Sequence, residues 1–587
     1  MEAVTSDKIF GGSFLLAPIG SQPQFTPEDL SDEAKSIGEA ARDFMEGEVL
    51  PKDSVIDQLD LDLTRELLAK AGELGLLSIE IPEAYDGMDL DKKTTLVLLE
   101  EVGKQASFSV TYGAHTGIGT LPIVYFGSPE QKAKYLPLLA SGQKLAAYAL
   151  TEAGSGSDAM GAKTTAVLDG DQWVLNGSKM WITNAGFADV FVVFAKVDGR
   201  KFSAFIVEKG DPGFSTGAEE HKLGIKGSST RALILDNCRI PKDRLLGEVG
   251  RGHRIAFGIL NIGRFKLGAG CTGTAKVVLE YTLKYTGERQ QFGKPLHAFG
   301  LIQQKLADMA TRVFVAEAMN FRTIGCVDDR MQAVHWDEPD AARRKLEIMD
   351  EYSMEASIAK VWGSEALFAT ADDALQCFGG YGFSAEYPPE KIYRDNRINR
   401  IFEGTNEINR MIIAGALFKK AGNGTLPIRR STADVPAKAG FAGPLGGARH
   451  AVELAKRLCG YAAAAALEVS GQKLIENQEA SARVADMLTE IYAMECGVVR
   501  AARMTEAGHR WAAFARDCAE AYVNESWHKV QANARMLLAE VLEGEALEAA
   551  LADLAAFGGF VPQASSKLRG RIAAEVIEKG AYPIVQY

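Results

Sequence analysis

Apolar residues recur every three to four positions through most of this chain, and the places where that rhythm fails divide it. Phe25-Thr26-Pro27-Glu28-Asp29-Leu30 predicts the start of the first clear helix, with Thr26 as N-cap, Pro27 at the first helical position, Asp29 reaching back and Phe25 stapled to Leu30. Leu63, Leu67, Ala71 and Leu74 make a second helical face, and residues 92–104 and 129–141 carry the same period. From about Leu145 the period shortens. Thr164–Leu168 and Trp173–Leu175 flank an Asp169-Gly170 turn, and Val190–Val197, Phe202–Val207 and Ala232–Leu235 are β-branched or aromatic runs of strand length. Helical patterns resume over about 253–288, 297–324 and 345–378, interrupted by the polar piece Val327–Lys345, which reads as a surface insertion. After Lys420 a stretch rich in Gly and Pro reads as a linker, and beyond Ala448 the chain is alanine-rich and helical, with breaks near Gly508, Gly558 and Pro562. The expected architecture is a multidomain α+β chain: an N-terminal α-helical domain (25–144), a middle β-domain (145–250), an α-helical bundle (251–420), a linker (421–447) and a second α-helical domain (448–587).

Composition narrows the function classes. A chain of 587 residues exceeds what one hydrophobic core can hold, and 47% apolar with 24% charged residues is ordinary for a globular protein. A net charge of −12, with no compensating basic face, argues against a nucleic-acid partner. The seven cysteines (Cys238, Cys271, Cys326, Cys377, Cys459, Cys496 and Cys518) are scattered and never spaced as CxxC, which points to a reducing compartment. The histidines form no HxxxH pair, so no metal site is expected. The N-terminus has no basic segment followed by an apolar one, its first arginine is Arg42, and no run approaches eighteen apolar residues. The expectation is a soluble protein, cytoplasmic if the source is bacterial.

The stretch with the most chemical promise is IFEGTNEINR, Ile401–Arg410. Glu403, between an aromatic and a glycine just ahead of a helix, is arranged to project from a loop. Thr405 or Asn406 can cap that helix, whose Ile408, Met411, Ile412 and Leu417 mark a buried stripe, and its free N–H groups suit a phosphate. Alone, the stretch reads equally well as a loop glutamate capping a helix. Neither GxGxxG after a strand nor GxxxxGK[ST] occurs, so a dinucleotide would have to be held another way. Three further segments stand out. YALTEAGSGSD (Tyr148–Asp158) packs hydroxyls and glycines where a helical domain meets a β-domain, although by itself it reads as a turn. KMWITN (Lys179–Asn184) puts Trp181 and Thr183 on one face of a strand, as a stacking wall or as part of a core. QCFGGYGFSAEYPPEKIYRD (Gln376–Asp395) is the third.

Together these four segments resemble the acyl-CoA dehydrogenase flavoprotein family, over roughly residues 25–420 and in the family's domain order. The resemblance implies FAD between β-domain and bundle, with Tyr148, Leu150, Thr151 and Ser157 bordering the flavin, Trp181 along its face and Thr183 at N5. It implies that Arg289 and Phe292 of GERQQFGK reach the FAD of a neighbouring subunit. Gln376, Gly379 and Gly380 would line the adenosine and pyrophosphate side, with Thr405, Asn406 and Glu407 near the phosphates. Gly300 departs from the family's common glutamine. Glu403 matches the catalytic base, which removes the pro-R α-hydrogen of an acyl thioester as hydride passes to flavin N5; the thioester oxygen is held by the N–H of the base and a ribityl hydroxyl. Burial should raise the pKa of Glu403. Some members carry the base at the position matching Gly263, and glycine cannot serve. Asn261, Arg264 and Ser157 match substrate-side positions, as does Gly404 beside the base, and the small residues of GAHTGIG, Gly113 and Ala114 among them, leave the acyl pocket open.

The extra helical domain and the phrases LNIGRF, FGLIQQKLADM and RIFEGTNEI resemble the very-long-chain branch. This implies a homodimeric, FAD-dependent long-chain acyl-CoA dehydrogenase of fatty-acid β-oxidation that passes electrons to electron transfer flavoprotein. Rival readings are an acyl-CoA oxidase and a catalytically idle assembly or scaffold protein on the same fold. Members of that branch in mitochondria are membrane-tied through the region matching Ala421–Gly447. Here Pro427, Pro436 and Pro444 break any amphipathic helix, so strong membrane association is not expected.

Overall fold

The computed structural model describes residues 9–433 and 435–585. The N-terminal helices are α1 (Asp32–Phe44), α2 (Leu61–Glu73), α3 (Lys92–Val102), α4 (Ala106–Gly113) and α5 (Pro129–Ala140). Side chains start them: Ser31, Asp60, Asp91 and Ser128 each accept a backbone N–H three residues on. The Thr26 box forms, with Asp29 accepting from Thr26 N at 2.8 Å, but it closes only a single 3₁₀ turn, Pro27–Asp29. Leu30 is extended, so the α-helix begins at Asp32. On α2 the expected face holds at Leu67 and Ala71, while Leu74, one residue past the helix, is exposed. GAHTGIG continues α4 as a π-turn, Ala114–Gly119. Its small residues have a packing reason at Gly119, where a Cβ would come within 2.7 Å of the Ala146 Cβ.

The strands are β1 (Ala146–Ala149), β2 (Thr165–Asp169), β3 (Gln172–Thr183), β4 (Val190–Val197), β5 (Lys201–Glu208), β6 (Phe214–Glu219), β7 (Thr230–Pro241) and β8 (Leu245–Leu246). They form one sheet in the order β6-β7-β3-β2-β4-β5-β8, with β1 parallel to β4. One face packs on the N-terminal helices through Tyr148, Val190, Val192 and Phe194. The other holds a second core of Phe191, Val193, Phe205 and Leu233. β4 is buried on both faces, which is why its sequence is an unbroken apolar run.

The bundle consists of α6 (Gly252–Glu288), α7 (Gly300–Gln332), α8 (Ala341–Glu351), α9 (Ser353–Phe378) and α10 (Asn406–Gly422). Val327–Lys345 is a surface piece only in part: α7 continues to Gln332 and α8 begins at Ala341, with a mostly exposed loop between them, and Val327, Asp328, Met331 and Lys345 are buried. The polar residues conceal internal partners, since Asp328 accepts Lys92 N at 2.8 Å and Lys345 Nζ donates to Met331 O at 2.8 Å. The stripe on α10 is also rotated from the expected one. Asn409, Ile413, Ala414, Leu417 and Phe418 are buried, while Ile408 faces out.

α11 (Gly446–Ser470), α12 (Gln478–Glu506), α13 (Ala512–Val541) and α14 (Ser565–Lys579) complete the chain and share one continuous core with the bundle. The described residues between α10 and α11 hold no α-helix or strand, only a 3₁₀ turn at Lys438–Gly440, and Leu426 and Leu445 pin them into this core. Residues 9–24 are stitched to the same helices: Ile19 N donates to Glu453 at 2.6 Å and Lys456 Nζ to Ala17 O at 2.8 Å. No helix among the described residues is long and apolar enough to cross a membrane.

Candidate active site

Glu403 lies in a tight bend ahead of α10, with φ of 57° followed by 77° at Gly404. A left-handed glutamate is a strained residue that glycine would occupy more easily, so the bend must be held from outside. Asn409 does this from α10, donating to Gly404 O at 2.8 Å and Thr405 O at 3.0 Å. Lys360 Nζ, on α9, donates to Gly404 O at 2.7 Å and to Asn406 Oδ1 at 2.6 Å. Thr405 caps the helix by accepting Ile408 N. Asn409 thus explains the rotated stripe: a polar residue occupies the buried face because its amide locks the bend.

The bend aims the Glu403 carboxylate at α6, where a Cβ on Gly263 would stand 2.6 Å from Oε2. Oε2 is buried and has no hydrogen-bond partner. Desolvation pushes the carboxyl up to about 7, against the opposing pull of Arg264 and Lys360. Arg264 follows Gly263 and donates through Nη1 to Asn261 Oδ1, and Asn261 Nδ2 donates to Asp350 at 2.6 Å. Arg264 Nε remains without a partner, and burial holds its pKa below the usual arginine value. Tyr148, on β1, has a buried hydroxyl that is also unpartnered and titrates well above 10, first from burial and then from the nearby Glu403. Glu403, Gly404, Asn406, Asn261, Arg264 and Tyr148 are therefore brought together.

The β-domain segments form a second group around Tyr148. Met180 N donates to Thr151 O at 2.9 Å, and Lys179 Nζ reaches Leu150 O and Glu152 at 3.1 and 2.7 Å. Trp181 sits at a bulge of β3 with φ of 62° and is 53% exposed, so it is not a core tryptophan. Thr183 shares its outward face, opposite buried Ile182. Ser157 is exposed on the loop after β1, and Glu407 is exposed on the first turn of α10.

A third group is on the outside of the bundle. The Arg289 guanidinium lies 5.5 Å from the Tyr381 ring, beside the 3₁₀ turn that begins at Gly379. Gln376, Gly379 and Gly380 are exposed there, with open space where Cβ atoms would be at both glycines. Phe292 is 93% exposed at the tip of a two-residue hairpin, Gln290–Pro295, at φ of 51°. A fully displayed phenylalanine on a left-handed residue is unusual for a monomer surface. Ala114 is buried in the π-turn, and of that turn Thr116, not Ala114, lines an internal cavity. Sequence reasoning missed Lys360, for which a lone lysine inside an apolar helical run was the available signal.

Gly263 is what leaves the carboxylate its place: the methyl group added by Gly263→Ala would stand 2.6 Å from Oε2 and force it aside.

A helical domain, a β-domain and a helical bundle converge on a glutamate whose Oε2 is buried and without a hydrogen-bond partner, the layout of a multidomain α+β enzyme, and comparison with known proteins supplies the family. Residues 31–143, 147–238 and 250–418 match the N-terminal, middle and C-terminal domain models of acyl-CoA dehydrogenase, and 454–555 match a further acyl-CoA dehydrogenase C-terminal domain model. The chain belongs to the acyl-CoA dehydrogenase family. It is 46% identical over 585 residues to a probable acyl-CoA dehydrogenase of Bacillus subtilis, covering 98% of both chains. The crystal structure of an acyl-CoA dehydrogenase complexed with FAD from Bacillus anthracis superimposes with a TM-score of 0.95 at 45% identity, over 98% of this chain and 100% of that one. The mitochondrial short-chain specific enzyme of Homo sapiens is 39% identical but covers 67% of this chain and 91% of its own length. The mitochondrial very long-chain specific enzyme of Bos taurus is 33% identical over 91% of this chain and 84% of its own.

Proposed function

We propose that this chain is an FAD-dependent dehydrogenase that converts long-chain acyl-CoA to trans-2-enoyl-CoA in fatty-acid β-oxidation, with Glu403 as the base. The observation that carries the reading is Oε2 of Glu403, buried, unpaired and set against a glycine. An α-hydrogen beside a thioester is weakly acidic, so the base must be kept from water and from competing donors. Glu403 meets both needs and takes the proton at Oε2. Its backbone N–H donates to the thioester oxygen as enolate charge develops. Asn261 and Arg264 orient the CoA side of the substrate, Gly404 lets it pass close to the backbone, and Ser157 contacts both ligands.

The residues fit a flavin. The Tyr148 hydroxyl is a buried donor without a partner, Trp181 offers an open aromatic face, and Gly154, Gly156, Gly379 and Gly380 leave room where Cβ atoms would project. Tyr148, Leu150, Thr151, Ser157, Trp181 and Thr183 would hold the isoalloxazine side, and Thr405, Asn406 and Glu407 the phosphates. Gln376, Gly379 and Gly380 would take the adenosine and pyrophosphate. When bound, FAD supplies the hydride acceptor, N5. Exposure of Arg289 and Phe292 suits a second copy of the chain, whose FAD they would reach. Arg289→Ala should therefore lower bound FAD and shift the dimer toward monomer together, because a guanidinium on pyrophosphate is a strong, charge-assisted contact. Full flavin content in a stable dimer would remove the shared site.

Long-chain preference is supported by the small residues of the π-turn and by coverage of the very long-chain relative through the C-terminal helices. Electron transfer flavoprotein is the proposed acceptor. The seven thiols are free, in keeping with a bacterial cytoplasm as the place of action. Anaerobic bleaching of the flavin by acyl-CoAs from C4 to C20 tests the whole reading, and failure of every chain length to bleach it would overturn it.

A further inference from the structure

Lys360 is fully buried on α9, and its ammonium rests on two neutral oxygens, the Gly404 carbonyl at 2.7 Å and Asn406 Oδ1 at 2.6 Å. Burying an ammonium against uncharged acceptors is costly, and an apolar side chain would pack there more favourably. What the lysine does at this place is hold the carbonyl next to Glu403.

The hold continues outward. Asn406 is the first residue of α10, and both ends of its amide are used inside the protein: Oδ1 by Lys360, and Nδ2 by Ser364 Oγ at 3.1 Å and Glu365 Oε1 at 3.0 Å. What Asn406 has for a phosphate is its backbone N–H, in the first turn of the helix. Glu365 is in turn gripped by Arg410 through two parallel bonds, Nη1 to Oε1 at 2.9 Å and Nη2 to Oε2 at 3.0 Å. Asn406 and Arg410 stand four residues apart on one face of α10, so a single carboxylate on α9 meets both. The remaining nitrogen of the guanidinium, Nε, donates to Asp486 Oδ1 at 2.7 Å, and Asp486 belongs to α12 of the C-terminal domain. An unbroken line of contacts therefore runs from α12 to the carbonyl beside the base. Its outer members are partly open to water, with Asp486 35% and Glu365 32% exposed, and such ion pairs add little to stability. Their use lies in geometry, because a bidentate guanidinium–carboxylate pair admits one orientation.

We propose that Asp486 is a positioning residue for the dehydrogenation: from the C-terminal domain it fixes Arg410, which fixes Glu365, Asn406 and Lys360 in turn and so holds the left-handed bend that aims the Glu403 carboxylate. The inference rests on Glu403 being the base of the acyl-CoA reading. Asp486 takes no part in proton transfer and acts only through the bend. The helical domain that begins at Gly446 thereby has a share in the reaction rate, besides covering the bundle.

The test measures anaerobic, single-turnover reduction of the flavin by C16 acyl-CoA in holoenzyme of wild type, Asp486→Ala, Lys360→Met and the double variant. Asp486→Ala leaves Arg410 on Glu365 and should slow reduction about fivefold, a part of the roughly 10² that a displacement near 1 Å can cost. Residues that act through one line are not independent, so the same change made in Lys360→Met, where the line is already cut, should slow reduction by less than about twofold. An unchanged rate in Asp486→Ala, or a slowing of about twofold or more in the Lys360→Met background, overturns the proposal. Asp486→Asn, which keeps an oxygen for Nε, should recover most of the lost rate, and no recovery would also overturn it. If Lys360→Met yields no folded holoenzyme, Glu365→Ala cuts the same line and takes its place with the same thresholds. Failure of the underlying reading would look different, because wild type would then not be bleached, or Glu403→Gln would be bleached as fast as wild type.

Discussion

Glu403→Gln should bind FAD and acyl-CoA like wild type and lose about 10²- to 10⁴-fold in turnover, the usual range for removal of one positioned base. The amide keeps the shape of the side chain and cannot accept the α-proton. The environment argues for a large effect. Oε2 has no donor to lose, so the substitution breaks no hydrogen bond at that atom and its cost falls on the chemistry. The pH profile gives an independent reading of the same group. Only the ionised carboxylate is a base, and its pKa is pushed up to about 7 by desolvation, with Arg264 and Lys360 pulling the other way. For the free enzyme kcat/KM should therefore rise with pH through about 7 and level off above it. Glu403→Gln should remove that limb. Anaerobic single-turnover bleaching measures both, and a variant keeping more than about one-tenth of the wild-type rate would place the base elsewhere.

Local patterning made some of this fold readable and hid the rest for identifiable reasons. β4 is an unbroken apolar run because both of its faces are buried, so its ends fall where the sequence puts them. β6 was not visible: FSTGAE has half-exposed faces and a glycine, and its place is set by pairing with β7. The Thr26 box was legible as a cap, but a cap states only where a turn begins, and extended Leu30 ends this one after three residues. Within Val327–Lys345 the loop between α7 and α8 is mostly exposed, and only the buried ends were hidden, because Asp328 and Lys345 find internal partners at Lys92 N and Met331 O. At the site, the bend at Glu403 could be read from E-G-T-N, whereas the groups that hold it, Lys360 on α9 and the carbonyl-facing amide of Asn409, depend on long-range packing. Trp181 and Thr183 do share a face, on which Trp181 is exposed and Thr183 half-buried, where a core was the alternative.

The C-terminal helices are joined to the catalytic bundle through buried charge, and Arg500 on α12 is the place to measure it. Its side chain is fully buried and pairs with Glu317 on α7 and with Glu28 ahead of α1, each at 2.7 Å. Glu317 also meets Lys276 of α6 at 2.7 Å and accepts from the Tyr582 hydroxyl at 3.0 Å, while Lys276 reaches Glu100 of α3 at 2.8 Å. One network therefore crosses four helices, the N-terminal lead and the C-terminal tail. Its guanidinium sits 4.8 Å from the Phe314 ring and titrates well above the usual arginine value, because its two carboxylates outweigh the burial that would lower it. Arg500→Met should cost about 3–5 kcal/mol, since taking away one member of the buried Arg500–Glu317 pair leaves the Glu317 carboxylate under-compensated where water does not reach it. The double variant Arg500→Met with Glu317→Met should lose less than the two single losses added together, because the second change removes the charge that the first exposes. Denaturant unfolding of the holoenzyme measures both, with the flavin spectrum at low denaturant as the check that the active site is intact. A single variant within about 0.5 kcal/mol of wild type, the range of an ordinary surface substitution, would show that the two helical domains are held together by apolar packing alone.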